Sequence, residues 1–163
     1  MKRHTQDYLR FAHALTQTAR RVETFTFGTR LSRITRALQR RDAGLALAEA
    51  AASVDDWDGG TRIGAALEAF LSQPRFGSMA RGAVVLILSD GLERGEHSCM
   101  TEAVRKLSQR AWHLAWLTPL AQDPRFRPET AAIKTIIPFV DEIGSAGSIA
   151  SLVEYTLGIG RVA

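Results

Sequence analysis

Residues 83–91 read Ala-Val-Val-Leu-Ile-Leu-Ser-Asp-Gly, a continuous apolar run of strand length that ends in a polar turn. A strand without polar alternation is expected where helices cover both faces of a parallel sheet. Residues 83–88 therefore predict a buried central strand. Asp90 follows at its carboxyl end, which is the edge where open α/β sheets bind their ligands.

Helices and strands alternate in the rest of the chain. Apolar side chains at three- and four-residue spacing predict helices, and alternating or β-branched runs predict strands. The predicted helices cover residues 5–19, 42–52, 62–71, 99–109 and 148–157. The predicted strands cover residues 22–27, 31–34, 83–88, 112–117 and, as an edge strand that contains Pro138, 135–140. This order predicts an α/β fold: one doubly wound, Rossmann-like domain over residues 1–163, with a mostly parallel sheet flanked by helices.

A second stretch is expected at the same edge of the sheet, where residues 58–67 read Asp-Gly-Gly-Thr-Arg-Ile-Gly-Ala-Ala-Leu. Thr61 and Asp90 would supply a hydroxyl and a carboxylate, and both are oxygen ligands of the kind that Mg²⁺ prefers. Each residue also has a simpler interpretation, Thr61 as a helix cap and Asp90 as part of a turn. The residues alone leave both interpretations open.

Composition narrows the class of protein. The chain has 163 residues and a formal charge of +4. Its apolar runs are shorter than the roughly 20 residues that span a membrane, and its N-terminus lacks the pattern of a signal peptide, so we expect a cytoplasmic protein. Cys99 is the only cysteine, which excludes an internal disulfide. The arginines are spread along the chain without interleaved aromatic residues, so nucleic-acid binding is not expected.

Three blocks of the chain carry a family resemblance. They are Val-Glu-Thr-Phe-Thr-Phe-Gly-Thr-Arg-Leu at residues 22–31, Trp-Asp-Gly-Gly-Thr-Arg-Ile-Gly at residues 57–64 and Leu-Ser-Asp-Gly-Leu-Glu-Arg-Gly at residues 88–95. With them, nearly the whole chain resembles a von Willebrand factor A (vWA) domain. The resemblance is to the CoxE-like branch, which is associated with the maturation of molybdenum-containing carbon monoxide dehydrogenases.

The resemblance implies a metal-ion-dependent adhesion site (MIDAS). In such a site an Asp-x-Ser-x-Ser loop, a threonine and an aspartate hold one Mg²⁺, and an acidic side chain of the partner completes its coordination. Thr61 matches the threonine, which is a direct ligand. Asp90 matches the aspartate, which acts through a bound water.

The chain departs from the family pattern at its start. The resemblance implies a strand and an Asp-x-Ser-x-Ser loop ahead of the opening helix, yet this helix begins almost at Met1. We therefore expect an N-terminally truncated domain that lacks the first central strand, between those at 22–27 and 83–88, and an incomplete, weak or empty Mg²⁺ site. Three explanations stay open: a start upstream of Met1 or a truncated gene, direct pairing of the two flanking strands, and completion by a partner's strand.

The function implied by the resemblance is that of a non-enzymatic protein-binding module. Its partners would be a MoxR-type AAA+ ATPase and a metalloenzyme client, a molybdenum hydroxylase such as carbon monoxide dehydrogenase. Peripheral association with a membrane is left open. The residues expected to contact the partner around Thr61 and Asp90 are Trp57, Asp58, Gly60, Glu93 and Arg94.

Two rival functions remain. One is a small hydrolase that uses Asp90 with His97 in the same crevice, or a nucleophilic pair of His97 with Cys99. The other is a degenerate interaction domain that has lost the metal. The glycine- and serine-rich residues 144–148 are expected to form a loop in which Ser148 caps the last helix, rather than an anion site.

Overall fold

The computed structural model describes residues 2–28, 30–53, 62–123, 125, 127 and 130–159. The helices are α1 (Lys2–Thr18), α2 (Thr35–Leu38), α3 (Ala43–Ala52), α4 (Ile63–Ser72), α5 (Pro74–Gly77), α6 (His97–Ser108), α7 (Ala131–Ile136) and α8 (Ile149–Ile159). The strands are β1 (Phe25–Phe27), β2 (Leu31–Arg33), β3 (Val84–Leu88), β4 (His113–Thr118) and β5 (Glu142–Ser145). Two 3-10 helices, Pro119–Gln122 and Ile137–Phe139, complete the set. None of the described helices has the length and apolar character needed to cross a membrane.

Three parallel strands form the main sheet, in the order β3, β4, β5. In the register of β3 and β4, Val84 lies opposite His113 and Leu88 lies opposite Leu117. The central strand β4 is buried along almost its whole length, as expected when helices cover both faces of a sheet. The prediction of a Rossmann-like α/β fold with a mostly parallel sheet is confirmed.

The sheet separates two apolar cores. Val85 and Ile87 of β3 face the core that α4, α6 and α7 cover. Leu86 and Leu88, which alternate with them, face the core beneath α1 and α8. Ile87 is buried, which stabilises the fold by about 1.5–3 kcal/mol, and the other three side chains are half-buried. The alternation along β3 therefore attaches helices to both faces.

The strands β1 and β2 form an antiparallel hairpin outside the main sheet. Phe25 packs edge-on against Phe70 and Phe76, with ring centroids 5.1 and 4.9 Å away. This aromatic cluster holds the hairpin against α4 and α5. The strands predicted over residues 22–27 and 31–34 are confirmed, and they pair with each other. Direct pairing of the strands at 22–27 and 83–88 is wrong for the described part of the chain, since β1 pairs with β2 and β3 pairs with β4.

The edge strand predicted over residues 135–140 is wrong. This segment forms the end of α7 and the following 3-10 helix, and the outer strand of the sheet is β5. Thr130 caps α7, because its Oγ1 accepts a hydrogen bond from the backbone N–H of Ile133 at 3.3 Å. Ala132, Ile133 and Ile136 are buried at helical spacing. Packing of this face overrides the strand propensity of the isoleucines.

Two shorter predictions also change. Gly144 and Ser145 belong to β5 rather than to a loop before the last helix. Ser148 does cap α8, since its Oγ accepts from the backbone N–H of Ser151 at 3.1 Å. Residues 74–77, expected to interrupt the chain, form α5, with Pro74 in the first turn where no N–H donor is needed.

Candidate partner-binding crevice

The candidate site lies at the carboxyl ends of the three parallel strands. Ser89 and Asp90 follow β3, Thr118 ends β4 and Ala146 follows β5. The Ser89 N–H donates to the Leu117 carbonyl at 3.0 Å, and the Ala146 N–H donates to the Thr118 carbonyl at 2.9 Å. These bonds extend the ladders past the strands and bring the three following segments to one edge of the sheet.

The turn that carries Asp90 is fixed by hydrogen bonds. Ser89 Oγ accepts from the Gly91 N–H at 3.1 Å, and Asp90 Oδ1 accepts from the Leu92 N–H at 3.2 Å. The Ser89 carbonyl accepts from the indole N–H of the fully buried Trp116 at 3.2 Å. The turn interpretation of Asp90 is therefore correct, and the turn also sets the position of its carboxylate in the crevice.

Gly91 is required at this turn for two independent reasons. Its φ is +73°, a left-handed conformation that side chains disfavour. A Cβ at position 91 would also lie 2.3 Å from Cδ1 of Ile133 on α7. The turn after β3 therefore closes directly over the core.

Tyr8 on α1 also lies at this edge of the sheet, although nothing in the sequence marked it as a site residue. Its hydroxyl donates to the Ala146 carbonyl at 3.1 Å. Burial raises the pKa of Tyr8 above its ordinary value, and the nearby carboxylates of Asp90 and Asp7 raise it further. The tyrosine stays neutral and donating at physiological pH. A buried tyrosine hydroxyl needs a hydrogen-bond partner. A tyrosine among the apolar residues of a helix therefore indicates a polar contact of this kind.

Glu93 joins the Asp90 turn to the start of α4. One carboxylate oxygen accepts from the Gly64 N–H at 2.7 Å, and the other accepts from the Gly95 N–H at 2.5 Å. A negative charge at a helix N-terminus is favourable because it neutralises backbone N–H groups that have no partner within the helix. Glu93 lies where the sequence placed it, but its carboxylate is held by backbone donors. Its contact with a partner stays a prediction.

Gly64 lets α4 and α6 approach closely. A Cβ at this position would lie 2.6 Å from the backbone nitrogen of Met100. The two helix starts therefore meet without an intervening side chain, directly beside the Glu93 carboxylate.

The remaining residues of the predicted rim divide into two groups. Arg94 is exposed next to Glu93, and its role in binding stays a prediction. The others lie outside the described residues: Trp57, Asp58, Gly60 and the predicted metal ligand Thr61.

The environment of Cys99 does not favour a nucleophilic role. Its thiol donates to Glu68 Oε2 at 3.6 Å. Burial raises the pKa of the thiol, and the hydrogen bond to Glu68 raises it further. A nucleophilic cysteine needs a lowered pKa, so this arrangement does not suit the pair of Cys99 with His97.

The part of the crevice that the structure describes does not by itself fit a Mg²⁺ site. Within the described ranges, no three His, Cys, Asp or Glu side chains lie close enough together to hold a metal ion. Mg²⁺ requires several oxygen ligands in near-octahedral geometry. Asp90 offers one carboxylate, whereas both oxygens of Glu93 accept from backbone N–H groups.

The fold and the site define a Rossmann-like α/β domain with Asp90 at the carboxyl edge of a parallel sheet, the edge where such folds bind their ligands. The chain belongs to the family of VWA domain containing CoxE-like proteins, whose family model matches residues 1–152. Comparison with curated proteins and with solved structures gave no match. The family suggests an accessory role in protein interaction and is generally non-catalytic.

Proposed function

We propose that this chain is a non-enzymatic accessory module that captures a partner protein at the crevice around Asp90. The observation that carries the proposal is the turn after β3. It presents a carboxylate at the carboxyl edge of the sheet and is held by the bonds of Ser89 and Gly91. A fixed side chain loses little conformational entropy on binding, which favours recognition.

The proposed partners are a MoxR-type AAA+ ATPase and a molybdenum hydroxylase such as carbon monoxide dehydrogenase, whose metal centre is being matured. Support comes from the CoxE-like family match over most of the chain. Because the ATPase requires ATP, the proposal places the assembly in the cytoplasm. The described residues that would meet the partner are Asp90, Glu93 and Arg94.

We further propose that this chain holds Mg²⁺ weakly or not at all. Support comes from Glu93, the carboxylate nearest Asp90 in the chain, because both of its oxygens already accept hydrogen bonds from backbone N–H groups. A bound ion stabilises only the folded state, so its occupancy appears as a rise in melting temperature. We expect no rise in Tm with millimolar Mg²⁺. A rise that the substitution Thr61→Ala abolishes would overturn the weak-metal proposal.

Capture of the purified ATPase tests the protein-binding role. The immobilised chain should retain the MoxR-type ATPase of the same organism, and Asp90→Ala should weaken the complex about tenfold, or ~1.4 kcal/mol. Glu154→Ala is the control, because Glu154 is an exposed acidic residue on α8, outside the turns that follow the strands. Equal capture by the wild-type chain and both variants would contradict a role for the crevice, and absence of capture would contradict this partner.

A further inference from the structure

In the described part of the chain, β3 has an unpaired backbone edge on the side away from β4. The Ala83 carbonyl accepts from the His113 N–H at 3.4 Å, and the Ser89 N–H donates to the Leu117 carbonyl at 3.0 Å. The backbone groups of a strand alternate between its two edges, so the outward-facing N–H and C=O groups belong to Val84, Leu86 and Leu88. No hydrogen bond among the described residues uses these groups. They are placed to pair with one further strand.

The side chains of β3 are incompletely covered on both faces of the sheet. Val85 on one face and Leu86 and Leu88 on the other are half-buried, and Val84 is 41% exposed. In β4, which has a neighbouring strand on each side, residues 114–117 are fully buried. A strand beside β3 would remove apolar surface from water on both faces. The segment that fits this edge is therefore apolar on both of its own faces.

The two outer edges of the sheet differ in how they are protected. The opposite edge strand, β5, contains the exposed Glu142, and the 3-10 helix Pro119–Gln122 packs against it. Charged residues and covering segments of this kind are common protections of a sheet edge. Residues 83–88 contain neither a charged residue nor a proline. The edge of β3 therefore pairs readily with another polypeptide.

The β1–β2 hairpin limits what can approach this edge. The Gly28 carbonyl, directly after β1, accepts from the Arg62 N–H at 3.4 Å, and Glu93, after β3, accepts from the Gly64 N–H at 2.7 Å. Both strands therefore end at the start of α4. Since α6 separates α4 from α7 in the helix layer, the hairpin on α4 lies on the outer side of β3. A whole second domain would meet the hairpin there, whereas an extended segment adds only one strand.

We propose that the outer edge of β3 binds an extended apolar segment of the partner protein, which adds a strand to the sheet. In this mode of recognition the backbone hydrogen bonds provide affinity, and the alternating side chains provide specificity. The carboxyl end of the edge is the turn that carries Asp90, so the bound segment would lie beside the crevice. The inference rests on the proposed function, because it names the part of the captured partner that the domain recognises.

Hydrogen exchange of the ¹⁵N-labelled chain tests the proposal, with a synthetic peptide of alternating valine and leucine residues between lysines as the probe. In the chain alone, the outward amides of Val84, Leu86 and Leu88 should exchange rapidly, whereas those of Val85 and Ile87 are protected by β4. The peptide should slow exchange of the outward amides about tenfold or more and leave the other two unchanged. A hydrophobic contact without backbone pairing would not follow this alternation.

Substitution of Val84 provides an independent measurement. Val84→Pro removes an outward N–H, and proline is tolerated at the first residue of an edge strand. Fluorescence anisotropy of the labelled peptide should show about tenfold weaker binding, a change of ~1.4 kcal/mol. The matched control Val84→Thr keeps the N–H and the β-branched shape and should bind like the wild-type chain. If Val84→Pro does not fold, the exchange pattern of the wild-type chain still decides.

Three results would overturn the proposal. Slow exchange of the outward amides in the chain alone would show that the chain covers its own edge. A dimer in analytical ultracentrifugation that Val84→Pro dissociates would show that a second copy covers it. Equal binding of a peptide N-methylated at alternate residues would exclude backbone pairing. The peptide assay does not use the ATPase, so its failure and a failure of ATPase capture are separate results.

Discussion

Gly91 and Gly82 have the same backbone conformation but different surroundings. Their φ values are +73° and +66°, yet nothing lies within 4 Å of a Cβ at position 82, whereas a Cβ at position 91 meets Ile133. Gly82→Ala should lower the free energy of unfolding by about 1–2 kcal/mol, the cost of a left-handed residue. Gly91→Ala should lower it by about 2–5 kcal/mol because overpacking adds to that cost. Urea unfolding measures both, and equal losses would show that Ile133 moves aside freely.

Glu93 contributes both a charge and two hydrogen-bond acceptors at the start of α4. Glu93→Gln keeps an oxygen acceptor for Gly64 but removes the charge at the start of α4 and places an amide NH2 group opposite the Gly95 N–H, so we expect a loss of about 0.5–1.5 kcal/mol. Glu93→Ala leaves both backbone donors without their acceptor, and we expect about 1–3 kcal/mol. Glu154→Ala, at an exposed position on α8, is the control and should change stability by less than about 0.5 kcal/mol. Equal stability of the Gln and Ala variants would contradict this account.

For single residues, the sequence predicted where a side chain lies in the fold better than it predicted which residues that side chain contacts. Asp90 and Glu93 lie at the expected edge of the sheet because the apolar run of β3 determines where the strand ends. The partner of Glu93 on α4 is 29 positions away in the chain, and the partner of Tyr8 is 138 positions away. Long-range contacts of this kind leave no local pattern in a single sequence.

Among the secondary-structure elements, the helix α7 replaces part of the strand that the sequence predicts, and its N-terminal cap can be tested by substitution. Thr130 Oγ1 caps this helix through the Ile133 N–H, so Thr130→Ala should reduce the free energy of unfolding by about 1 kcal/mol. Thr130→Ser retains the hydroxyl and should lose much less. Chemical denaturation of the two variants provides the comparison, and identical losses would argue against the cap.

Some strands and helices have a single clear sequence pattern, whereas other segments satisfy two patterns at once. The strand at Val84–Leu88 and the apolar stripe of α1 are confirmed. The prediction that residues 83–88 form the buried central strand is wrong for the described sheet, where β4 is central and β3 lies at the edge with Val84 exposed. Residues 135–140 contain isoleucine, valine and Pro138, which together satisfy the pattern of an edge strand. They also contain the end of a helical stripe that buries Ile133 and Ile136 against α6. The burial of this helical stripe made the segment a helix rather than a strand. A single sequence does not show which side chains of such a segment will be buried.

For the molecule as a whole, its two tyrosines predict a pH dependence of stability. Burial first, then carboxylates, raise the pKa of Tyr8 and of Tyr155 above the ordinary value. Above pH ~10 the unfolded chain therefore loses tyrosine protons that the folded chain retains, and the free energy of unfolding should fall by up to about 1.4 kcal/mol per pH unit for each tyrosine. The stabilisation that the two tyrosines provide is fully present below pH ~10.

Urea unfolding at a series of alkaline pH values measures this slope. Tyr8→Phe removes one of the two ionisable hydroxyls. Above pH ~10 its free energy of unfolding should therefore fall less steeply with pH than that of the wild-type chain, by the contribution of one tyrosine. A wild-type slope equal to that of Tyr8→Phe would show that Tyr8 ionises equally easily in the folded and unfolded chains.

The close approach of α4 and α6 at Gly64 has a consequence for how freely this sequence can vary. In a saturation-mutagenesis library selected for folding, position 64 should tolerate almost nothing but glycine, because any larger residue meets the backbone at Met100. The exposed positions Arg81 and Gln109 should accept nearly every residue in the same library. This difference would separate the residues that build the domain from the exposed residues that it can replace freely.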